Sequence, residues 1–134
     1  MVATAELMPP EILLVDDNEV QGATRSIILS RLGLKVAVIQ KAQDAIALLD
    51  RMDVRCTLRL LITDHLMPEM NGSELVRIFR HVLPSLPVLV LSGLDGAEAE
   101  YQGLNVSFYL KPFPPDELIR VARLLLGNPI LRSA

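Results

Sequence analysis

Residues 60–72 read LLITDHLMPEMNG. The largely apolar run from Leu58 to Thr63 has the length of a buried strand, yet it ends on a bare carboxylate, Asp64, and then breaks at Pro68 and Asn71-Gly72. A strand that is apolar without alternation is covered on both faces, as happens in a parallel sheet wrapped by helices. Such a sheet places the carboxyl ends of its strands along one edge, so the fate of Asp64 depends on what the other strands deliver there.

The same pattern recurs along the chain. Ile12-Leu13-Leu14-Val15, Val36 to Ile39, Val88 to Leu91 and the weaker Val106 to Leu110 are short apolar runs, separated by longer segments of helical period. After the first run, Val20, Ala23, Thr24, Ile27 and Ile28 fall on one helical face, and Gly33 stands where a left-handed stop is expected. A second helix uses Ala42, Ala45, Ile46 and Leu49. A third uses Leu75, Ile78, Phe79 and Val82, with Asn71 as N-cap and Glu74 as its reciprocal partner. A fourth, around 95–102, is short and weakly periodic. The last opens after Pro114-Pro115, turns Leu118, Val121, Ala122 and Leu125 inward and stops at Gly127, leaving Ile119 and Leu126 off its core stripe. The expectation is five βα units in one α/β domain spanning 1–134, with its core in 11–127 and flexible ends at 1–10 and 128–134.

Composition narrows the function. Of 134 residues, 51% are hydrophobic, enough for one real core, and the net charge of −3 with 13 scattered Lys and Arg residues lacks the basic footprint of a nucleic-acid binder. A single cysteine, Cys56, has no internal partner and reads as an inert thiol. The first residues lack the basic start and apolar stretch of a secretory signal, and no apolar run approaches the roughly 20 residues of a membrane span. A cytoplasmic, membrane-free setting is expected.

The strand ends carry the chemistry. The first strand ends in Asp16-Asp17, the third in Asp64, the fourth in Ser92 and the fifth in Lys111. If the first and third strands are neighbours, the three carboxylates converge, and like charges at that distance call for a cation. An all-oxygen donor set suits Mg2+ or Mn2+ and offers nothing to zinc. A carboxylate beside such an ion can act as a nucleophile toward phosphorus; Asp64, alone at its strand end, is the better nucleophile, and the Asp16-Asp17 pair the better metal site. Lys111 and the Ser92 hydroxyl would then face the oxygens of a transferring phosphoryl group.

Through LLVDDN at 13–18, DHLMPEMNG at 64–72, VLSG at 90–93 and YLKPF at 109–113, the chain resembles the receiver domain of two-component response regulators over nearly its whole length. The resemblance implies a flavodoxin-like (CheY-like) three-layer α/β/α fold with a five-stranded parallel sheet in the order 2-1-3-4-5. It implies a phosphoacceptor of a phosphorelay, with Asp64 taking a phosphoryl group from a histidine kinase or a histidine phosphotransfer domain. By the same resemblance Asp17 ligates Mg2+ directly, Asp16 does so through water, and the backbone carbonyl of Leu66 is a further contact. Ser92 is the switch hydroxyl, Phe108 the switch aromatic and Lys111 the phosphate-pairing lysine, followed by a cis peptide to Pro112. The surface around the fourth and fifth helices would switch, engaging a downstream protein or a second copy through the last helix and strand. Such a protein is not an enzyme beyond its own phosphotransfer and dephosphorylation. Leu66 and Leu94 stand two residues after Asp64 and Ser92, where neither side chain can orient an attacking water, so a long-lived phosphoryl group is expected.

Each feature also has a plainer reading. Asp16 and Asp17 can cap a helix, Asp64 can cap a turn, and a single lysine is usually a surface lysine; their joint position at strand ends favours the functional reading. His65 is expected to be a solvent-exposed loop residue, His81 a partner of a helix C-terminus, and Met67 and Met70 packing residues. The rivals are a pseudo-receiver, a protein-interaction module that works without phosphorylation, and an aspartyl phosphohydrolase. The second lacks an acid two residues after Asp64 and an inserted cap.

Overall fold

The computed structural model describes residues 8–127, so the expectation of flexible ends falls mostly on residues outside the described ones. Five parallel strands, β1 (Ile12–Val15), β2 (Val36–Ile39), β3 (Leu60–Asp64), β4 (Val88–Ser92) and β5 (Ser107–Leu110), form one sheet in the order β2-β1-β3-β4-β5. The helices are α1 (Glu19–Ser30), α2 (Ala42–Leu48), α3 (Met52–Thr57), α4 (Gly72–Val82) and α5 (Pro115–Leu126), with a 3-10 turn at Ala97–Tyr101. This is the expected doubly wound order.

The unbroken apolar character of the strands follows from their two buried faces. Ile12, Leu14, Leu60, Ile62, Leu89 and Leu91 pack with Ile28 and Leu29 of α1 and with Leu118, Val121, Ala122 and Leu126 of α5. The alternate residues Leu13, Val15, Leu61, Val88 and Val90 pack with α2, α4, Val54 of α3 and Tyr101. Both layers bury apolar surface at roughly 25 cal/mol per Å² removed from water, which is the main force closing the three layers.

Several helix ends are set as their residues direct. Asn18 caps α1 by accepting from the Gln21 N–H at 2.9 Å. Asn71 accepts from the Glu74 N–H at 3.1 Å while the Glu74 carboxylate accepts from the Asn71 N–H at 3.3 Å, a complete capping box. Gly33 and Gly127 follow their helices at φ 78° and 79°.

Other expectations are corrected. The segment 42–57 holds two helices, and the second, a six-residue α3 with only Val54 buried, is too short to show a period in the sequence. Leu58 belongs to the end of α3, its N–H donating to the Val54 carbonyl, and β3 starts at Leu60. The region 95–102 forms a 3-10 turn in place of a fourth α-helix. In α5 Leu126 is buried while Leu125 is only partly so, and in α4 Val82 lies at the exposed edge of its stripe.

The largest correction concerns α1. Val20 and Ile27 are 74% and 67% exposed, and the helix turns Gly22, Ile28 and Leu29 inward. Gly22 decides this orientation: a Cβ there would lie 3.0 Å from Val38 Cγ1, so the helix approaches β2 along the side where it has no side chain. Arg25 sits on the same inward side, and a sequence reading that places arginine in water selects the opposite face.

Candidate functional site

The carboxyl edge of the sheet gathers the acids as the strand order requires. β1 and β3 are hydrogen-bonded neighbours with Val15 opposite Thr63, so Asp16 and Asp64 emerge side by side. Carboxylate oxygens of Asp16, Asp17 and Asp64 all lie within 4.8 Å of one another. Asp16 and Asp64 are buried, whereas Asp17 is exposed at the rim. The Asp16 N–H donates to the Ile39 carbonyl at 3.0 Å, and its Oδ1 accepts from the Asn18 N–H at 2.9 Å.

Lys111 reaches this cluster from the far side of β4. Its N–H donates to the Ser92 carbonyl at 2.7 Å, which anchors the end of β5, and its Nζ lies 2.9 Å from Asp64 Oδ1. The Lys111-Pro112 peptide is cis. Burial, and next the neighbouring Asp16 carboxyl, push the Asp64 carboxyl up to about 7 against the downward pull of Lys111. An acid left to itself in this pocket would therefore be partly protonated at neutral pH. A divalent cation added to the pocket would favour the carboxylate.

Ser92 ends β4, the strand beside β3, and Phe108 lies in β5. The Ser92 hydroxyl donates to the Leu94 carbonyl at 3.2 Å and accepts from the Leu94 N–H at 2.9 Å. Phe108 is half-buried, its ring 5.6 Å from that of Tyr101. Leu66 lies in the loop after β3 with its side chain 57% exposed. Met67 and Met70 pack against the α2 and α4 layer, as expected. His81 lies exposed in the last turn of α4, and Cys56 is exposed and free.

His65 is the misjudged residue of this loop. It is 2% exposed, its Nδ1 lies 2.7 Å from the Tyr101 hydroxyl, and its Nε2 lies 3.4 Å from Glu100 Oε2. The side chain leaves Asp64 and turns toward the 97–101 segment, which closes over it. Room for this arrangement comes from Gly72, where a Cβ would stand 2.5 Å from the Tyr101 hydroxyl and 2.7 Å from the Asp64 carbonyl. The glycine in LLITDHLMPEMNG is thus a close-approach residue as well as a turn residue. No local signal in the sequence ties Tyr101 to His65.

Arg25 was missed altogether. Its Nη1 lies 2.7 Å from Asp16 Oδ2 and 3.3 Å from Asp64 Oδ1. The only hint in the sequence is its spacing three residues after Gly22 on the inward side of α1.

A family model of the response regulator receiver domain matches residues 12–123. The chain belongs to this family. The receiver domain is 30% identical over 125 residues to the chemotaxis protein CheY1 of Helicobacter pylori strain J99, covering 88% of this chain and 98% of that protein. It is 32% identical over 124 residues to the response regulator MprA of Mycolicibacterium vanbaalenii, covering 89% of this chain and 51% of that protein. The receiver thus spans about half the length of the mycobacterial regulator. Among solved structures, the CheY-like receiver domain protein of Methanospirillum hungatei superimposes with a TM-score of 0.78 at 21% identity, covering 89% of this chain and 94% of that one. The receiver domain of the Francisella response regulator 1452 does so with a TM-score of 0.75 at 25% identity, covering 93% and 99%.

Response regulators of two-component systems work with histidine kinases and downstream effectors, and their receivers bind Mg2+ through acidic residues. The donor set here fits that ion: three carboxylates within reach of a common point, with no thiolate or imidazole among them. Among the described residues no helix is long and apolar enough to cross a membrane.

Proposed function

We propose that this receiver is a phosphoacceptor switch in which Asp64 takes the phosphoryl group of a phosphohistidine, on a histidine kinase or a histidine phosphotransfer domain. The observation that carries the reading is the Asp64 carboxylate itself, buried at the end of β3, beside Asp16 and Asp17 and 2.9 Å from Lys111. An Asp64 oxygen forms the new P–O bond as the P–N bond breaks, and the departing imidazole nitrogen keeps the electron pair. Lys111 pairs with a phosphoryl oxygen, and Ser92 exchanges its Leu94 contacts for a hydrogen bond to another. Asp17 and Asp64, Asp16 through water and the Leu66 backbone carbonyl would hold Mg2+, which would supply positive charge beside the transferring group.

The turn of Ser92 draws the loop after β4 toward Asp64, and Phe108, already packed against Tyr101, shifts its ring with it. The surface of the 97–101 turn, β5 and α5 is the output face, read by a downstream protein or a second copy. The chemistry is confined to loading and unloading Asp64, and the apolar side chains of Leu66 and Leu94 offer no group to orient a hydrolytic water. The solved DrrB receiver, which covers 90% of this chain with a TM-score of 0.76, is described as activated by BeF3. The same mimic tests this chain. Beryllofluoride with Mg2+ should shift the backbone amide resonances of Ser92, Phe108 and 97–101 in the wild type and leave those of Asp64→Asn in place. Unmoved resonances in the wild type would overturn the switch and favour a phosphorylation-independent interaction module.

A further inference from the structure

Arg25 brings a second cation, beside Lys111, to the acidic pocket. It projects from the inward side of α1, and its side chain is 13% exposed. One guanidinium nitrogen bridges two acids, 2.7 Å from Asp16 Oδ2 and 3.3 Å from Asp64 Oδ1. With Oδ1 of Asp16 held by the Asn18 N–H, both oxygens of that carboxylate have partners within the chain. Asp64 Oδ1 is shared between Arg25 and Lys111. The formal charge of Asp16, Asp17 and Asp64 is thereby offset by two tethered cations, leaving one negative charge where the three acids and Lys111 alone would leave two.

We propose that Arg25 is a built-in counter-ion of the phosphoacceptor pocket, which holds Asp16 and Asp64 in place and competes with the divalent ion for both. The inference rests on the phosphoacceptor reading and adds a control on its metal. A divalent ion approaching these acids meets weaker net attraction, and its full engagement with Asp16 and Asp64 requires the guanidinium to withdraw from between them. The competition is set by geometry and ion concentration. The buried position, where salt screens little, makes one unit charge count for much. The consequence is a receiver whose loading with Mg2+, and so its readiness to accept a phosphoryl group, calls for a higher ion concentration than the acids and Lys111 alone would require.

The test uses Mn2+, whose free ion is counted by electron paramagnetic resonance, on the full chain with wild-type Arg25, Arg25→Gln, Arg25→Met and Arg25→Lys. Both neutral variants should bind Mn2+ more tightly, by about tenfold, with Arg25→Lys near the wild type. In thermal melts the neutral variants should start lower in EDTA and gain more from added Mg2+ than the wild type, since an ion that binds only the folded state stabilises as the logarithm of one plus its concentration over its dissociation constant. Unchanged or weaker Mn2+ binding in both neutral variants would overturn the proposal. If neither neutral variant folds, the wild type still decides. The side-chain N–H resonances of Arg25 should move as Mg2+ is added, and their indifference to saturating ion would overturn it as well. None of these readouts involves phosphorylation, so a chain that takes no phosphoryl group would sink the phosphoacceptor reading and leave these titrations to judge Arg25.

Discussion

Lys111 Nζ lies 2.9 Å from Asp64 Oδ1 although β5 and β3 are separated in the sheet by β4. The lysine bridges them because the N–H of Lys111 is tied to the carbonyl of Ser92, which fixes where the chain leaves β5. If Asp64 takes a phosphoryl group as proposed, an ammonium so anchored would neutralise the charge that develops on it. Lys111→Met should slow loading of Asp64 by acetyl phosphate by about a hundredfold, on the scale of losing one preorganised donor. Time courses of intact mass at saturating Mg2+ would measure this, and a rate within twofold of the wild type would remove Lys111 from the chemistry.

The His65 and Tyr101 pair makes a different prediction, about stability. Tyr101→Phe keeps the ring packed against His65 and Phe108 and deletes the hydroxyl 2.7 Å from His65 Nδ1. A buried ring nitrogen is left without that partner, at a cost of about 1–3 kcal/mol. Urea unfolding followed by far-ultraviolet circular dichroism would show the loss as a lower midpoint at unchanged slope. A variant as stable as the wild type would mean that the hydroxyl contributes nothing net.

The pH dependence of the ion-free protein follows from Asp64. Its folded value of about 7 lies above the ordinary 3.8, so between those values the folded state holds more protons than the unfolded state. The stabilising contribution of protonated Asp64 is fully present below 3.8 and is lost as pH rises through about 7. In EDTA, the wild type should therefore lose stability relative to Asp64→Asn between pH 5.5 and 7.5, by at least about 1 kcal/mol. Excess Mg2+ should flatten the difference, because the ion favours the carboxylate. Urea midpoints at the two pH values check both statements, and parallel curves in EDTA would contradict them.

Much of this architecture could be read from the residues because the relevant signals are either continuous or local. β1 is an uninterrupted apolar run ending at Asp16, and the box of Asn71 and Glu74 marks the start of α4 without help from the rest of the fold. Parallel topology then does the remaining work for the acids, since it sets every strand's carboxyl end along one edge. The failures share another cause. Val20 and Ile27 make the more apolar stripe of α1, but Gly22 lets the opposite side approach the sheet and Asp16 and Asp64 draw Arg25 inward. His65 is buried by Tyr101, a residue 36 positions away. Periodicity records the average polarity of a face; it does not record a partner that arrives from elsewhere in the chain.

The central claim is that Asp64 is the phosphoacceptor, and intact mass spectrometry tests it most directly. Wild-type protein and Asp64→Asn are incubated with Mg2+ and acetyl phosphate, and each is weighed intact. The wild type should gain the mass of one phosphoryl group, absent from Asp64→Asn and absent when EDTA replaces Mg2+. An unmodified wild type, or an equal adduct on Asp64→Asn, would contradict it.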